Sequence, residues 1–121
     1  MLLVIYISGF AAIGALSRWG IYRLFNEGNI FLATLAVNLA GSFVAGFMLH
    51  QFMRNEFILN KEVHLGLVIG FLGAFTTFSA LSADSLKLIM SNQWWLAGGN
   101  VIFQTLFGIV ACYLGFRLSA I

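Results

Sequence analysis

Four stretches of this chain, 1–17, 30–53, 63–83 and 88–116, contain no Asp, Glu, Lys or Arg. A helix that crosses a bilayer needs roughly 20 largely apolar residues, and each stretch reaches that length once its flanks are counted. The last begins with Met90-Ser91-Asn92-Gln93, a polar connection leading into Trp94-Trp95. The expectation is therefore four spans, at about 2–24, 31–53, 63–90 and 95–118. Of 121 residues, 61% are hydrophobic and 8% charged, whereas soluble domains run at about 45–50% apolar and about 25% charged. Only short connections remain between spans. The expected class is an all-α, multi-pass protein of the lipid bilayer, a single four-helix transmembrane domain over 1–121 with no room for a soluble catalytic domain, and hence not an enzyme.

Other classes fall on pattern. A β-barrel would show short alternating segments between turns, and these runs are continuous. The six basic residues are scattered, so no run of them suits nucleic acid. The lone Cys112 rules out an internal disulfide, and no Cys/His spacing suggests a metal cluster. The first run lacks a basic region before it, and Arg18 stands where a cleavage site would lie, so it reads as a retained helix.

With four spans, both termini share a side with the 54–62 loop, which places Arg54, Lys61 and Arg117 against Arg23 and Lys87, with Arg18 at the edge of the first span. Three against two is a weak bias for a rule that puts Lys and Arg in the cytoplasm. One reading is insertion either way up, which allows a two-fold dimer with its axis in the membrane plane, the two-chain equivalent of an inverted repeat. The other is one orientation fixed by something besides charge. Association within lipid depends on small residues that let backbones approach. Gly66-x-x-x-Gly70, Ser42-x-x-x-Gly46 and Gly70-x-x-x-Ala74 supply them.

Polar groups inside a span must be satisfied or line a wet path. Thr34, Asn38, Ser42 and Gly46 recur every four residues and share one face of the second helix; Asn100, Gln104, Gly108 and Cys112 do the same on the fourth. Ser42 and Asn100 read as interhelical glue and Asn38, deep in its span, as functional. The third span crowds Gly70, Gly73, Thr76, Thr77, Ser79 and Ser82 into its middle, beside Phe75 and Phe78. Two outcomes are open. The helix breaks there and frees carbonyls for a small hard cation, or the hydroxyls bond back to the i−4 carbonyl of a continuous helix. Arg18 reads as a snorkelling residue or as a fixed charge at a vestibule. Asp84 and Lys87, three apart, are expected to pair. His50 and His64 are expected at an interface, and Trp94 with Trp95 as an aromatic anchor.

Three motifs in order, Gly14-Ala15-Leu16-Ser17-Arg18, then 34–42 (TLAVNLAGS), then 70–79 (GFLGAFTTFS), resemble the small bacterial fluoride channels of the Fluc or CrcB family. The resemblance covers essentially the whole chain. It implies a dual-topology antiparallel dimer, a homodimer or a heterodimer with a homologous subunit, that releases fluoride passively across the bacterial inner membrane and so lowers its toxicity. It implies a structural sodium ion held by the backbone carbonyls of Gly73 and Thr76 at a break in the third helix. It also implies an anion pathway along Asn38, Phe75, Phe78, Thr77, Ser79, Leu81 and Gln104, with Arg18 as a vestibule or structural residue. The chain departs from the family pattern at Leu81, where a second Phe is usual, at Asp84 in place of Glu, at Ala74 in place of Gly, in lacking a proline before the second span, and at Gln104, Gly108 and Cys112, where hydroxyls are usual. The departures leave room for an accessory subunit that pairs with a complete channel chain. A small multidrug exporter is a further alternative, but it needs a membrane-embedded carboxylate, and the first span has none.

Overall fold

The computed structural model describes residues 1–121. Helix α1 is Leu2–Tyr22, and a 3₁₀ turn, Glu27–Asn29, leads into α2, Ile30–Arg54. Helix α3 runs over 61–75, α4 is Phe78–Met90 and α5 is Trp94–Ser119. Four helical stretches, Leu2–Tyr22, Glu27–Arg54, Lys61–Met90 and Trp94–Ser119, are long and apolar enough to cross a membrane, and the chain is a multi-pass membrane protein.

The connections are set by asparagine. Asn55 closes α2 in the left-handed conformation (φ 55°), and Asn92 does the same between α4 and α5 (φ 59°). Asparagine tolerates that region better than most residues because its short side chain bonds locally. Asn60 then starts α3, its side chain accepting a hydrogen bond from the Val63 N–H at 2.9 Å.

Two helix pairs organise the bundle, α1 on α3 and α2 on α5. Lipid tails are as apolar as the helices, so contact is gained by bringing backbones close. A Cβ added at Gly14 or Gly70 would strike the carbonyl of Phe71 or Ile7 across the first seam. One at Gly46 or Gly115 would strike the carbonyl of Cys112 or Phe43 across the second. Both glycines of the expected Gly66/Gly70 motif lie in the α1–α3 seam, Gly66 against Tyr6 and Phe10.

The third span does not run as one regular helix. After a turn of α-helix at Lys61–Leu65, residues Gly66–Leu72 are wound as a π-helix, and Gly73–Phe75 return to α. Thr76 (φ −78°, ψ 156°) and Thr77 (φ −151°, ψ 108°) are extended, and helix resumes at Phe78. Thr76 Oγ1 still donates to the Leu72 carbonyl at 2.8 Å, so the back-bond available to a threonine in a helix is made by a residue whose own ψ has left the helical region.

One expectation is corrected. Asp84 does not pair with Lys87: its carboxylate is buried and accepts from Thr34 Oγ1 at 2.7 Å, and Lys87 is exposed. His64, in the first turns of α3, is 1% exposed within the chain, its ring edge-on to Phe57 at 4.9 Å. In both cases helix rotation turns the side chain inward, and a neighbouring helix or loop covers it.

Candidate functional site

Thr77 is where the backbone of the third span needs help. An extended residue at membrane depth leaves its N–H and C=O without helical partners, and each unsatisfied group there costs several kcal/mol. Asn38 of α2 supplies both. Its Oδ1 accepts from the Thr77 N–H at 2.8 Å, and its Nδ2 donates to the Thr77 carbonyl at 3.2 Å. A second Nδ2 hydrogen goes to Gln104 Oε1 on α5 at 2.9 Å. The depth of Asn38 in its span thus has a physical cause: it is the backbone partner of a residue 39 positions away.

Thr77 is also the N-cap of α4. Its Oγ1 accepts from the Ala80 N–H at 3.0 Å and shares a hydrogen with Ser79 Oγ at 3.1 Å. A threonine cap of this kind stabilises a helix by about 1 kcal/mol, and here it restarts the helix immediately after the extended pair. The cap has a consequence upstream. In a continuous helix the Thr77 N–H would bond to the Gly73 carbonyl and the Ala80 N–H to the Thr76 carbonyl. Both amides are diverted to side-chain oxygens, Asn38 Oδ1 and Thr77 Oγ1, so the Gly73 and Thr76 carbonyls lose their i+4 donors.

Two clefts flank the extended pair, and Thr77 lines both. One, of about 520 Å³, places Arg18 and Tyr22 of α1 opposite Thr77, Ser79 and Ala80. The other, of about 470 Å³, holds Asn38, Gly73, Thr76, Phe78 and Leu81. The first offers a guanidinium, two hydroxyls and the N-terminal end of α4, where the partial charge of the helix is positive. The second offers carbonyl oxygens at the end of α3, where it is negative. The interruption presents both signs of charge within a few residues of neutral backbone.

The expected site residues are distributed as follows. Asn38, Thr77 and Gln104 are joined by hydrogen bonds, and Ser79 is joined through Thr77. Arg18 is half-buried on the cleft shared with Thr77 and Ser79. Leu81 is buried beside Asn38, and Phe78 is 80% exposed on the same cleft. Phe75 is turned away, 7% exposed and stacked on Phe71 with ring centroids 5.3 Å apart.

Asn100, read from the sequence as glue, does join helices. It accepts from Gln104 Nε2 at 3.0 Å and donates to Ser85 Oγ at 3.2 Å. A second chain of hydrogen bonds was not legible. Thr34 Oγ1 gives its single hydrogen to Asp84, so Tyr22 OH, 2.7 Å away, is the donor to Thr34. A buried acceptor such as the Asp84 carboxylate requires such donors. The only sequence signal for this set is that Thr34 lies on the Asn38 stripe.

Residues 5–116 match the family described as "CrcB-like protein, Camphor Resistance (CrcB)". The chain is 35% identical over 115 residues to the Fluoride-specific ion channel FluC 2 of Listeria monocytogenes serotype 4b (strain F2365), covering 95% of this chain and 88% of that protein. It is 34% identical over 116 residues to the Fluoride-specific ion channel FluC of Geotalea uraniireducens (strain Rf4), covering 93% and 92%. It is 35% identical over 120 residues to that of Geobacter sulfurreducens (strain ATCC 51573 / DSM 12127 / PCA), covering 95% and 94%.

Proposed function

The chain belongs to the CrcB family, and from that premise we propose that it is a fluoride-specific channel subunit of the bacterial inner membrane through which fluoride leaves the cytoplasm passively. It is a channel component and not an enzyme. The observation that carries the reading is the hydrogen-bonded set around Thr77, which gathers uncharged donors at membrane depth beside a cleft bearing Arg18.

Fluoride is small and strongly hydrated, so it enters a membrane only where donors replace its water. Arg18 raises the local anion concentration at the cleft mouth. The Ser79 and Thr77 hydroxyls and the free N–H of Gln104 then take the place of water. The first N–H groups of α4, at Phe78 and Ser79, lack helical acceptors and add the positive end of the helix. The exposed ring of Phe78 contributes its positive edge. All these donors are neutral except Arg18, and weak multi-site binding is what lets an ion leave again. Asn38 acts here as the organiser of the path, with both its N–H groups committed to Thr77 and Gln104.

Sodium is the cation that the resemblance implies, and the donor set suits it. Carbonyl oxygens are hard ligands, and those of Gly73 and Thr76 have been released from their helical donors on one open cleft. One chain supplies two such oxygens, and two chains arranged antiparallel would supply four. When bound, the ion would neutralise the negative end of α3. Gly73, Gly98 and Gly99 face open space in the single chain, which suits cover by a second copy in the dual-topology dimer.

Leu81 favours a second reading, an accessory subunit of a heterodimer, because it fills with an aliphatic side chain the wall beside Asn38. One experiment tests both. Liposomes containing the purified chain alone are loaded with fluoride or with chloride, and efflux is followed with ion electrodes. Fast efflux of fluoride and none of chloride is the expected outcome. Efflux that begins only when a homologous partner is added would replace the homodimer by the heterodimer. If Leu81→Phe then restores flux to the chain alone, the aliphatic wall is the cause.

A further inference from the structure

Asp84 is the one buried acidic residue of the chain, 8% exposed on α4, and its hydrogen-bond donor is uncharged, Thr34 Oγ1 at 2.7 Å. Thr34 Oγ1 is also 2.7 Å from Tyr22 OH. Both contacts are hydrogen-bond distances that need a hydrogen between the oxygens, and Thr34 has only one to give. While Asp84 is ionised it can only accept, so the Thr34 hydrogen goes to Asp84 and the Tyr22 hydroxyl supplies the other contact. The Tyr22 hydrogen is then committed to Thr34 and withheld from the cleft that Tyr22 lines with Arg18, Thr77 and Ser79.

A proton on Asp84 reverses the chain. The carboxylic acid donates to Thr34 Oγ1, the Thr34 hydrogen is released to fill the contact with Tyr22, and the Tyr22 hydrogen is released to the cleft. One proton arrives from water at the carboxylate, and each hydroxyl turns about its own C–O bond, so no other covalent bond forms or breaks. Water has access: the only sealed polar side-chain atom without a partner is His64 Nδ1, so Asp84 Oδ1, which makes no hydrogen bond, is not sealed. The Ile30 carbonyl, 3.5 Å from Thr34 Oγ1, competes for the Thr34 hydrogen, but at that length it is a weak acceptor. An anion in the cleft decides the competition, because a hydrogen bond from Tyr22 to an ion is roughly twice as strong as one between neutral groups. With Asp84 ionised, the same turn of Tyr22 would leave two oxygens 2.7 Å apart with no hydrogen between them.

We propose that Tyr22 is a proton-linked donor to an anion in the Arg18 cleft, and that Asp84 is the proton site that releases it through Thr34. Linkage is reciprocal: a proton on Asp84 strengthens anion binding, and an anion in the cleft draws a proton to Asp84. Few other charges bear on the chain. Helix α1 brings Arg18 to the cleft, while Arg23 is exposed with its guanidinium 5.4 Å from the Trp19 ring centroid, and Glu27 of the following turn is exposed. Helix α2 has no charged residue over 30–53 and only His50, at its opposite end, can titrate; α5 has no charged residue over 94–116. Lys87, on the same helix as Asp84, is exposed. The proposal rests on the channel reading for its ligand, fluoride, and the count of hydrogens stands without it.

The test uses the full chain in lipid nanodiscs at mildly acidic pH, with infrared difference spectra recorded as sodium fluoride replaces sodium gluconate. Fluoride is expected to raise the carbonyl stretch of a protonated carboxyl group. Asp84 is the only aspartate of the chain, so an isotope label on aspartate carboxyls assigns the band without a substitution. Tyr22→Phe keeps Asp84 and removes the linked hydroxyl, and the fluoride-induced band should vanish there. In liposomes, fluoride flux above that of protein-free liposomes should rise about fivefold or more from neutral to mildly acidic pH, the lower end of couplings between linked sites. Tyr22→Phe and Thr34→Val should lose that rise, and Asp84→Glu should keep it. Fluoride flux without a fluoride-induced aspartate band, or a Tyr22→Phe chain with the parent's pH response, would overturn the proposal and leave the channel reading intact. An aspartate band induced by fluoride in a chain without flux would sink the channel reading and keep the proton-linked site. If neither Tyr22→Phe nor Thr34→Val folds, the labelled band of the unaltered chain decides.

Discussion

The two halves of the third span are held in place by different physics. Helix α3 lies against α1 along glycines, and added Cβ atoms at Gly14 and Gly70 would meet backbone carbonyls. Helix α4 reaches α2 and α5 through Thr34–Asp84, Asn38–Thr77 and Asn100–Ser85. The first half is fixed by shape, which is non-directional and intolerant of volume. The second is fixed by hydrogen bonds, which tolerate volume better but demand a particular donor and acceptor. The change between modes falls at Thr76 and Thr77, where the backbone is extended. Polar groups that line a cleft cannot be sealed by backbone contact, so this segment is positioned by side chains.

The largest effect should come from breaking the shape-held half. Gly70→Leu drives a branched side chain into the Ile7 backbone, where the surroundings have no rotamer to yield. Overpacking costs about 1–3 kcal/mol or more, and loss of a monodisperse peak in size-exclusion chromatography is the expected result. Gly9→Leu, at a glycine of α1 with open space around it, should fold as the parent does. Equal behaviour of the two would remove the distinction between halves.

Next is the hydrogen-bonded half. Asn38→Asp puts an oxygen where Nδ2 now faces the Thr77 carbonyl and Gln104 Oε1. Repulsion there and a fixed negative charge on the path should cut fluoride flux by more than about tenfold, with efflux from liposomes as the measure. Unchanged flux would detach the Asn38 centre from conduction.

Smaller changes sharpen the contrast. Thr77→Val keeps the shape and removes the acceptor for the Ala80 N–H, and the loss of a cap is worth about 1 kcal/mol in a denaturant titration in detergent. Ser85→Ala removes the bond from Asn100 to Ser85, and interhelical bonds of this kind average about 0.6 kcal/mol. Its stability should stay within error of the parent by the same titration. A Ser85→Ala loss larger than that of Thr77→Val would mean that α4 is held from α5 and not from its N-terminus.

Legibility followed the same division. The Gly66/Gly70 spacing and the polar crowding at Thr76–Thr77 were visible in the sequence because both are local patterns. The partners were not. Thr77 finds Asn38 across 39 positions, and Thr34 finds Asp84 across 50, whereas the local rule pointed Asp84 to Lys87. Nor was the cover that the Phe57 ring of the neighbouring connection gives His64. The π-winding of Gly66–Leu72 leaves no composition signal.

By itself the sequence determined the number of spans and the short connections, since transfer of a residue into hydrocarbon depends on that residue's own chemistry. It also carried the motifs that place the chain in its family. Which faces meet was decided only in the tertiary structure. In water, a helix's apolar stripe marks its buried side, but in lipid the outside of the bundle is as apolar as the inside. The rotation of each helix is therefore fixed by where backbones can touch and where a buried polar group finds its partner, and both are properties of two helices together.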